Sequence, residues 1–556
     1  MKNILLFGAM LLSSVCTLAQ VEVANGPNLE NDRDSKMNRM LGGDENSFYC
    51  YRIRSKGKGT SYIVEKYNKA TLKPEFSKEL AIEENRLTKI EDVEYAGNSV
   101  VVFARSYDKD ADKMSLFFET VSSTGAVSNN KTEIVNVNTD HYEFVDFEIY
   151  PNPAKSKFLV KVFHKANKED SYKTDFMLIN SSDMKKIWSK RVDSKVGAKG
   201  SAPVFSFWGT GGSDDDIGFI GLHLDDQDNI FYASSYFATN STNKEKRYKA
   251  SVSIIEAKSQ EPKTTELAFD EDYLVKDVEF SKTSTGEIVV GGFLKDVIER
   301  KGRDLVKVGI FSFTINVGNG SIVSKTVKMF DDKLLTALES NPRKSKYFKY
   351  KLDYIIPIGK DVYYIGEQFQ EELVTTYNSS TRSTSSRWVY EYMDVIVAKL
   401  NAKGEFEWIK NTPLRNNLSL GSSSGGGFGF SSTPQRHIFK QYIAVATDKT
   451  IYIINNEHEK NIKIYDKPDF EPKDLKSMSG IHGSNFVYNS INIADGSQKH
   501  GLIFNNEDYC FAPIQERNPQ FYPPEDTEIF VNGKGDELYI YTEDKGKDRF
   551  SKISLK

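Results

Sequence analysis

The residues most able to do chemistry in this 556-residue chain are its histidines, its Asp/Glu clusters and its exposed-looking aromatics and arginines. The histidines, at positions 141, 164, 223, 437, 458, 482 and 500, never fall into an HExxH or CxxC-like spacing, so no zinc site is expected. Asp108, Asp110 and Asp112, with Glu119 in twelfth place, imitate the alternating oxygen ligands of a calcium loop. Lys113 replaces the glycine that such a loop needs at its sharp turn, and Glu119 falls inside a predicted strand. An acidic hairpin is therefore the better reading, and no metal is assigned. GxSxG elbows, P-loops and helix-opening GxGxxG patterns are absent. The glycine run 425–429 has no helix after it to present amides to a phosphate. No cofactor is expected. Catalytic residues are not identifiable on a linear scan, although carboxylates gathered from distant segments could still serve a glycosidase or lyase.

The elements that must position any site are strands. Residues 352–414 hold four apolar-alternating runs, at 354–358, 362–365, 395–400 and 406–409. Gly359-Lys360-Asp361 and Asn401-Ala402-Lys403-Gly404 separate the outer pairs, and both suit tight turns because Gly and Asn tolerate positive φ. The same pattern begins near residues 37, 90, 144, 218, 275 and 439. The tail offers three more runs, at 528–531, 537–541 and 549–555, and one spare run stands at 21–24. The chain is therefore expected to be an all-β propeller of eight four-stranded blades, with seven as the alternative. Its N-terminal strand would close the last blade. The one good helix signal is 332–340, and a βαβ enzyme would need many more.

Residues 398–408 show an Ala, a turn glycine at Gly404 and a tryptophan four residues on at Trp408. This resembles the tryptophan-docking repeat of pyrroloquinoline-quinone-type propellers. Residues 178–188 give a looser copy with Met184 in the glycine position, and Phe76 stands where another tryptophan would. In that family the motif locks neighbouring blades, so the resemblance implies fold and not cofactor.

Residues 1–19 read as an export signal, with Lys2 ahead of a short apolar core and a small-residue end. Val15 before Cys16 does not suit a lipobox. No later stretch is long and apolar enough to span a bilayer, so residues 20–556 are expected to form a single exported propeller, periplasmic or secreted. Of the cysteines beyond the signal, Cys50 and Cys510 either form a disulfide or are two unrelated buried thiols. The net charge of −4 and pI near 6.1 argue against a nucleic-acid partner.

Strand parity places the a–b and c–d turns on one face and the b–c and d–a connections on the other. The first set is short. The second carries the insertions 194–216, 238–249, 331–351, 369–392, 415–437, 457–485 and 505–527. Long loops are uncommon in compact domains and often functional. Aromatic and cationic residues punctuate them, and Trp208, Trp388, Phe428 and Arg436 are the candidate anchors for a protein or glycan partner. The expected function is non-catalytic binding through this insertion-rich face. The alternatives are a propeller glycosidase or lyase acting on polysaccharide, and an envelope assembly scaffold.

Overall fold

The computed structural model describes residues 21–555, except 31–34, 57–58, 83–84, 86, 129–130, 140–143, 166–170, 196–217, 240–245, 272, 276–277, 297–307, 332–348, 379–382, 422–441, 466, 468–469, 472–473, 479–483, 505–528, 532–534 and 545–546. The signal segment 1–19, the helix expected at 332–340 and Cys510 lie outside the described residues.

Eight antiparallel sheets follow one another along the chain, and in the first seven the strands pair in sequence order from the inner strand to the outer one. Blade one runs from Ser35–Gly43 to Pro74–Glu79, and blade three from Phe144–Pro151 to Lys186–Lys195. Blade six comprises strands a, Lys349–Ile358, b, Asp361–Asn378, c, Ser383–Leu400, and d, Phe406–Thr412. Blade seven comprises a, Tyr442–Ala446, b, Thr450–His458, c, Ser484–Asn492, and d, Gln498–Phe504. The inner strand of blade five is split into Tyr273–Val275 and Glu279–Lys282, both paired with the same neighbour.

Blade eight takes its first three strands, Ile529–Val531, Glu537–Asp544 and Lys547–Leu555, from the C-terminus. Its fourth is Val21–Asn25, paired from Val21↔Leu555 to Asn25↔Ser551. Ser551 Oγ donates to Asn25 Oδ1 at 2.8 Å, and Gly26 N donates to Phe550 O at 2.8 Å. The ring is thus an eight-bladed β-propeller closed by its own N-terminus.

The c–d turns repeat one device. The side-chain oxygens of Asn68, Asn180, Asn401 and Asn492 each accept an amide two residues on. The turn then ends in positive φ at Leu72, Met184, Gly404 and Gly496. Leu72 and Met184 reach this conformation although it favours glycine, and their buried side chains fill the seam instead. The asparagine, more than the glycine, marks the repeat.

Each turn also receives a side chain from the outer strand of the preceding blade. A Cβ at Gly496 would stand 3.2 Å from Trp408 Cδ2, and one at Gly125 would stand 3.2 Å from Phe76. Trp408 meets the Tyr363 ring and packs against the apolar cluster that holds Ile451 and Ile491, so it bridges blades six and seven. Gly404 meets blade five instead, where Thr326 Oγ1 donates to its carbonyl. The indole's glycine partner is therefore in the next blade's turn, not in its own. Trp408 is half-buried, so Trp408→Ala is expected to cost about 2–3 kcal/mol, below the range for a fully packed indole. A chemical denaturation midpoint unchanged from the parent would show that the seam does not depend on the ring.

Blades are tied by charge pairs as well, buried at Arg39 and half-buried at the others. Arg39 of blade one donates to Asp92 at 2.7 Å and to Glu94 of blade two. Arg105 lies 2.8 Å from Glu91 and 3.3 Å from Asp146 of blade three. Lys157 reaches Asp228 of blade four at 2.5 Å, and Lys282 of blade five reaches Asp225 at 2.8 Å. Cys50 is buried in the core beside Met37, Phe48 and Tyr541.

Candidate functional site

Residues 369–392, expected as a loop, are a continuation of the sheet. Strands b and c of blade six run on past the propeller body, paired residue by residue from Phe369↔Tyr392 to Asn378↔Ser383. A ten-residue strand adds about 33 Å of reach. Polar composition led to the loop reading; what keeps the segment extended is pairing on both sides of strand c. The chain returns from strand d as Asn416–Gly421, which pairs with strand c from Tyr392↔Asn416 to Arg387↔Gly421. A lone two-stranded hairpin is marginal in water, and the third strand converts this one into a small sheet.

Two of the expected insertions, 369–392 and the start of 415–437, thus form one extension on the face where b–c and d–a connections emerge. Trp388 stands on its middle strand, opposite Leu373 on one side and Leu420 on the other. Trp208, Phe428 and Arg436 lie outside the described residues. Thr375, Thr376 and Tyr377 are exposed on strand b, and Tyr377 is the most exposed large apolar side chain among the described residues, at 63%. The sequence reading passed over Tyr377. An aromatic within a polar Thr-Thr-Tyr-Asn stretch was the available signal.

The base of the extension is fixed by buried polar groups. Arg415, in the crossing after strand d, donates to Asp394 at the root of strand c and to the Leu414 carbonyl at 2.8 Å. Asp394 is fully buried and also accepts from Asn411 at 2.9 Å. Burial pushes the Asp394 carboxyl up, and the adjacent guanidinium opposes that shift. A buried ion pair contributes little net stability, but it admits one geometry, so it orients the crossing that becomes the third strand.

A second insertion, between strands b and c of blade seven, braces this base. Its short helix Ile462–Tyr465 is followed by a segment whose Met478 amide donates to Arg415 O at 2.9 Å. Asn461 and Lys476 exchange hydrogen bonds of 3.0 and 2.8 Å across the insertion. Ile464, Leu475 and Met478 are buried. On the inner side, Tyr442 of blade seven donates to Asp353 of blade six at 2.6 Å, and Lys351 lies 3.0 Å from the same carboxylate.

Elsewhere, titratable groups are engaged in structure. Burial pushes Glu91 up to about 7 although Arg105 opposes the shift, and it raises Asp146 also. Both carboxylates touch the one guanidinium, which makes the trio a tie between blades two and three. In the calcium-like stretch, Asp108 Oδ1 accepts the amides of Asp110 and Ala111, and Asp112 accepts from Tyr107 and Thr139. Glu119 is buried on a strand opposite Val102. Among the described residues, no three His, Cys, Asp or Glu are grouped to hold a metal, and no helix is long and apolar enough to cross a membrane.

Fold and site together define the chain as an eight-bladed β-propeller with a three-stranded extension on one face. No protein-family model matches the sequence, and no curated protein matches it. Among solved structures it is similar to the β-propeller domain of the Trilobed protease from Pyrococcus furiosus, at 10% identity, covering 86% of this chain and 98% of that one, with a TM-score of 0.32. It is also similar to the polysaccharide lyase Uly1, at 9% identity, 84% and 89% coverage and a TM-score of 0.35. A PL25 ulvan lyase matches at 8% identity, 86% and 96% coverage and a TM-score of 0.34. At this level of superposition, the propeller assignment rests on the strand pairing itself.

Proposed function

We propose that this protein is a non-catalytic propeller that captures a protein or glycan partner through the blade six extension. The observation that carries this reading is the extension's construction: three paired strands, held at the root by the buried Arg415–Asp394 pair and braced by the blade seven insertion. A pre-ordered surface loses little conformational entropy on binding. Tyr377 is the described anchor, since an exposed tyrosine buries large area with few torsions to freeze. In this reading the partner is met outside the inner membrane, in keeping with the N-terminal sequence at residues 1–19.

Joining Gln370 to Glu391 by a two-residue turn removes residues 371–390 of the extension while leaving the four blade strands and the buried Tyr392 in place. The shortened chain is expected to keep its melting temperature within a few degrees, because the removed sheet lies outside the ring. It should lose capture of its partner, scored on a glycan array and by cross-linking to envelope proteins. Full capture by the folded, shortened chain would refute the assignment. Tyr377→Ala alone should weaken capture roughly tenfold or more, as central aromatic anchors do.

A further inference from the structure

A cavity of about 500 Å³ opens at the seam where blade eight meets blade one, on the face of the c–d turns and opposite the blade six extension. Its place follows from the register. In blades one, three and six, one cross-strand row runs from strand b through c to d. The rows are Tyr49↔Lys66↔Phe76, Leu159↔Leu178↔Trp188 and Tyr363↔Lys399↔Trp408. Each ends in an aromatic ring, and Phe76 and Trp408 reach the c–d turn of the next blade. Blade eight repeats the row as Tyr539↔Lys552↔Ala24. A methyl group thus stands where those three blades carry a ring. The cavity lies beside it, against Lys69 and Ala70 in the c–d turn of blade one.

The walls select a guest by chemistry. Val23, Ala24 and Ala70 are apolar and exposed. Lys69 and Lys552 enter from different blades, with Nζ 5.4 and 5.9 Å from the centroid of the Tyr539 ring. Lys69 donates to the Asp44 carbonyl at 2.5 Å and Lys552 pairs with Glu537, which fixes both ammonium groups in place. Burial pushes the Lys69 ammonium down; Asp44 and Glu537 oppose that shift, and the charge of Lys552 adds to it. Glu22 is the one acid among the lining residues against two lysines, so the cavity favours an anion over a cation. Ser554 adds a hydroxyl able to donate to a carboxylate oxygen.

We propose that the seam between blades eight and one is a second binding site, which takes a planar aromatic ring bearing a carboxylate. The ring takes the place that Phe76, Trp188 and Trp408 hold in their own seams. Tyr363 meets Trp408 at 6.0 Å between centroids and Tyr49 meets Phe76 at 6.3 Å, and Tyr539 offers the guest the same partner. The carboxylate lies between Lys69 and Lys552, where charge-assisted hydrogen bonds are about twice as strong as neutral ones. A cavity of this volume is within the range that small ligands use. The guest bridges the N-terminal strand and the blade one turn, so its binding also strengthens the closure of the ring. The site is independent of what the extension binds.

Indole-3-acetate is the probe, with indole and tryptamine as its uncharged and cationic counterparts. Equilibrium dialysis at pH 7 against the chain beginning at Gln20 is expected to show saturable binding of indole-3-acetate. Its Kd should lie roughly tenfold or more below that of either counterpart, as hydrogen bonds to charged groups provide. Lys552→Met keeps the length of the side chain without its charge and should remove that advantage. Ala24→Trp builds the ring into the chain, as Trp408 does in blade six, and should abolish binding while raising the urea midpoint. Absence of saturable binding to the wild-type chain, or equal affinity for the three probes, would overturn the site. So would undiminished binding of indole-3-acetate by a folded Ala24→Trp chain, because the probe would then sit elsewhere.

Discussion

A chain lacking residues 21–27 is expected to be about 5 kcal/mol less stable than the chain beginning at Gln20. The strand it loses makes five paired positions with Lys547–Leu555, and a backbone hydrogen bond contributes about 1 kcal/mol net. Little of the loss is hydrophobic, since four of the five side chains are exposed and Val21 is half-buried. The contribution is chiefly topological. Removing the strand leaves Ser551–Leu555 as an open edge at the seam of the ring that joins the N- and C-terminal strands. Open edges pair with other chains, so the truncated protein should also aggregate at concentrations the full chain tolerates. Urea denaturation of both forms, with light scattering, measures both effects. Coincident transitions would show that the ring is held by inter-blade packing alone.

Arg415→Met is expected to cost about 3–5 kcal/mol, because it strands Asp394 as an uncompensated buried charge. The sign of its pH dependence is fixed by which state holds the proton. Burial already pushes the folded Asp394 carboxyl above its ordinary range, and removing the guanidinium pushes it further. The folded variant then binds a proton that the unfolded chain releases. Its stability deficit should shrink near pH 4 and grow as pH rises through the neutral range. Asp394→Asn added to Arg415→Met should recover much of the loss at pH 7. Thermal melts of the three variants at pH 4.5 and 7.5 test this. A single variant that melts with the parent at pH 7.5, or a double variant no more stable than the single, would show that the pair is not the anchor of the crossing.

Strand alternation in the amino-acid sequence determined the eight blades, because half-buried strands need apolar residues at every second position. It placed the strands of blade six at 354–358 and 362–365 inside the observed Lys349–Ile358 and Asp361–Asn378. The spare run at 21–24 determined the closure, since a ring made from one chain must join its ends. The asparagine turns were legible because an Asn side chain organises its own next residues. Segment 369–392 was not legible: its polar residues carry no periodic signal, and its strand geometry comes from pairing between 369–378 and 383–392 and with Asn416–Gly421, a partner brought alongside by the crossing after strand d. Likewise Trp408 is readable as a docking residue, but its partner Gly496 lies 88 positions on, in the next blade. Arg415 and Asp394 look solvent-exposed in a linear reading. Tertiary structure alone decided that they are buried together, because burial of a charge depends on neighbours that the crossing after strand d brings to strand c.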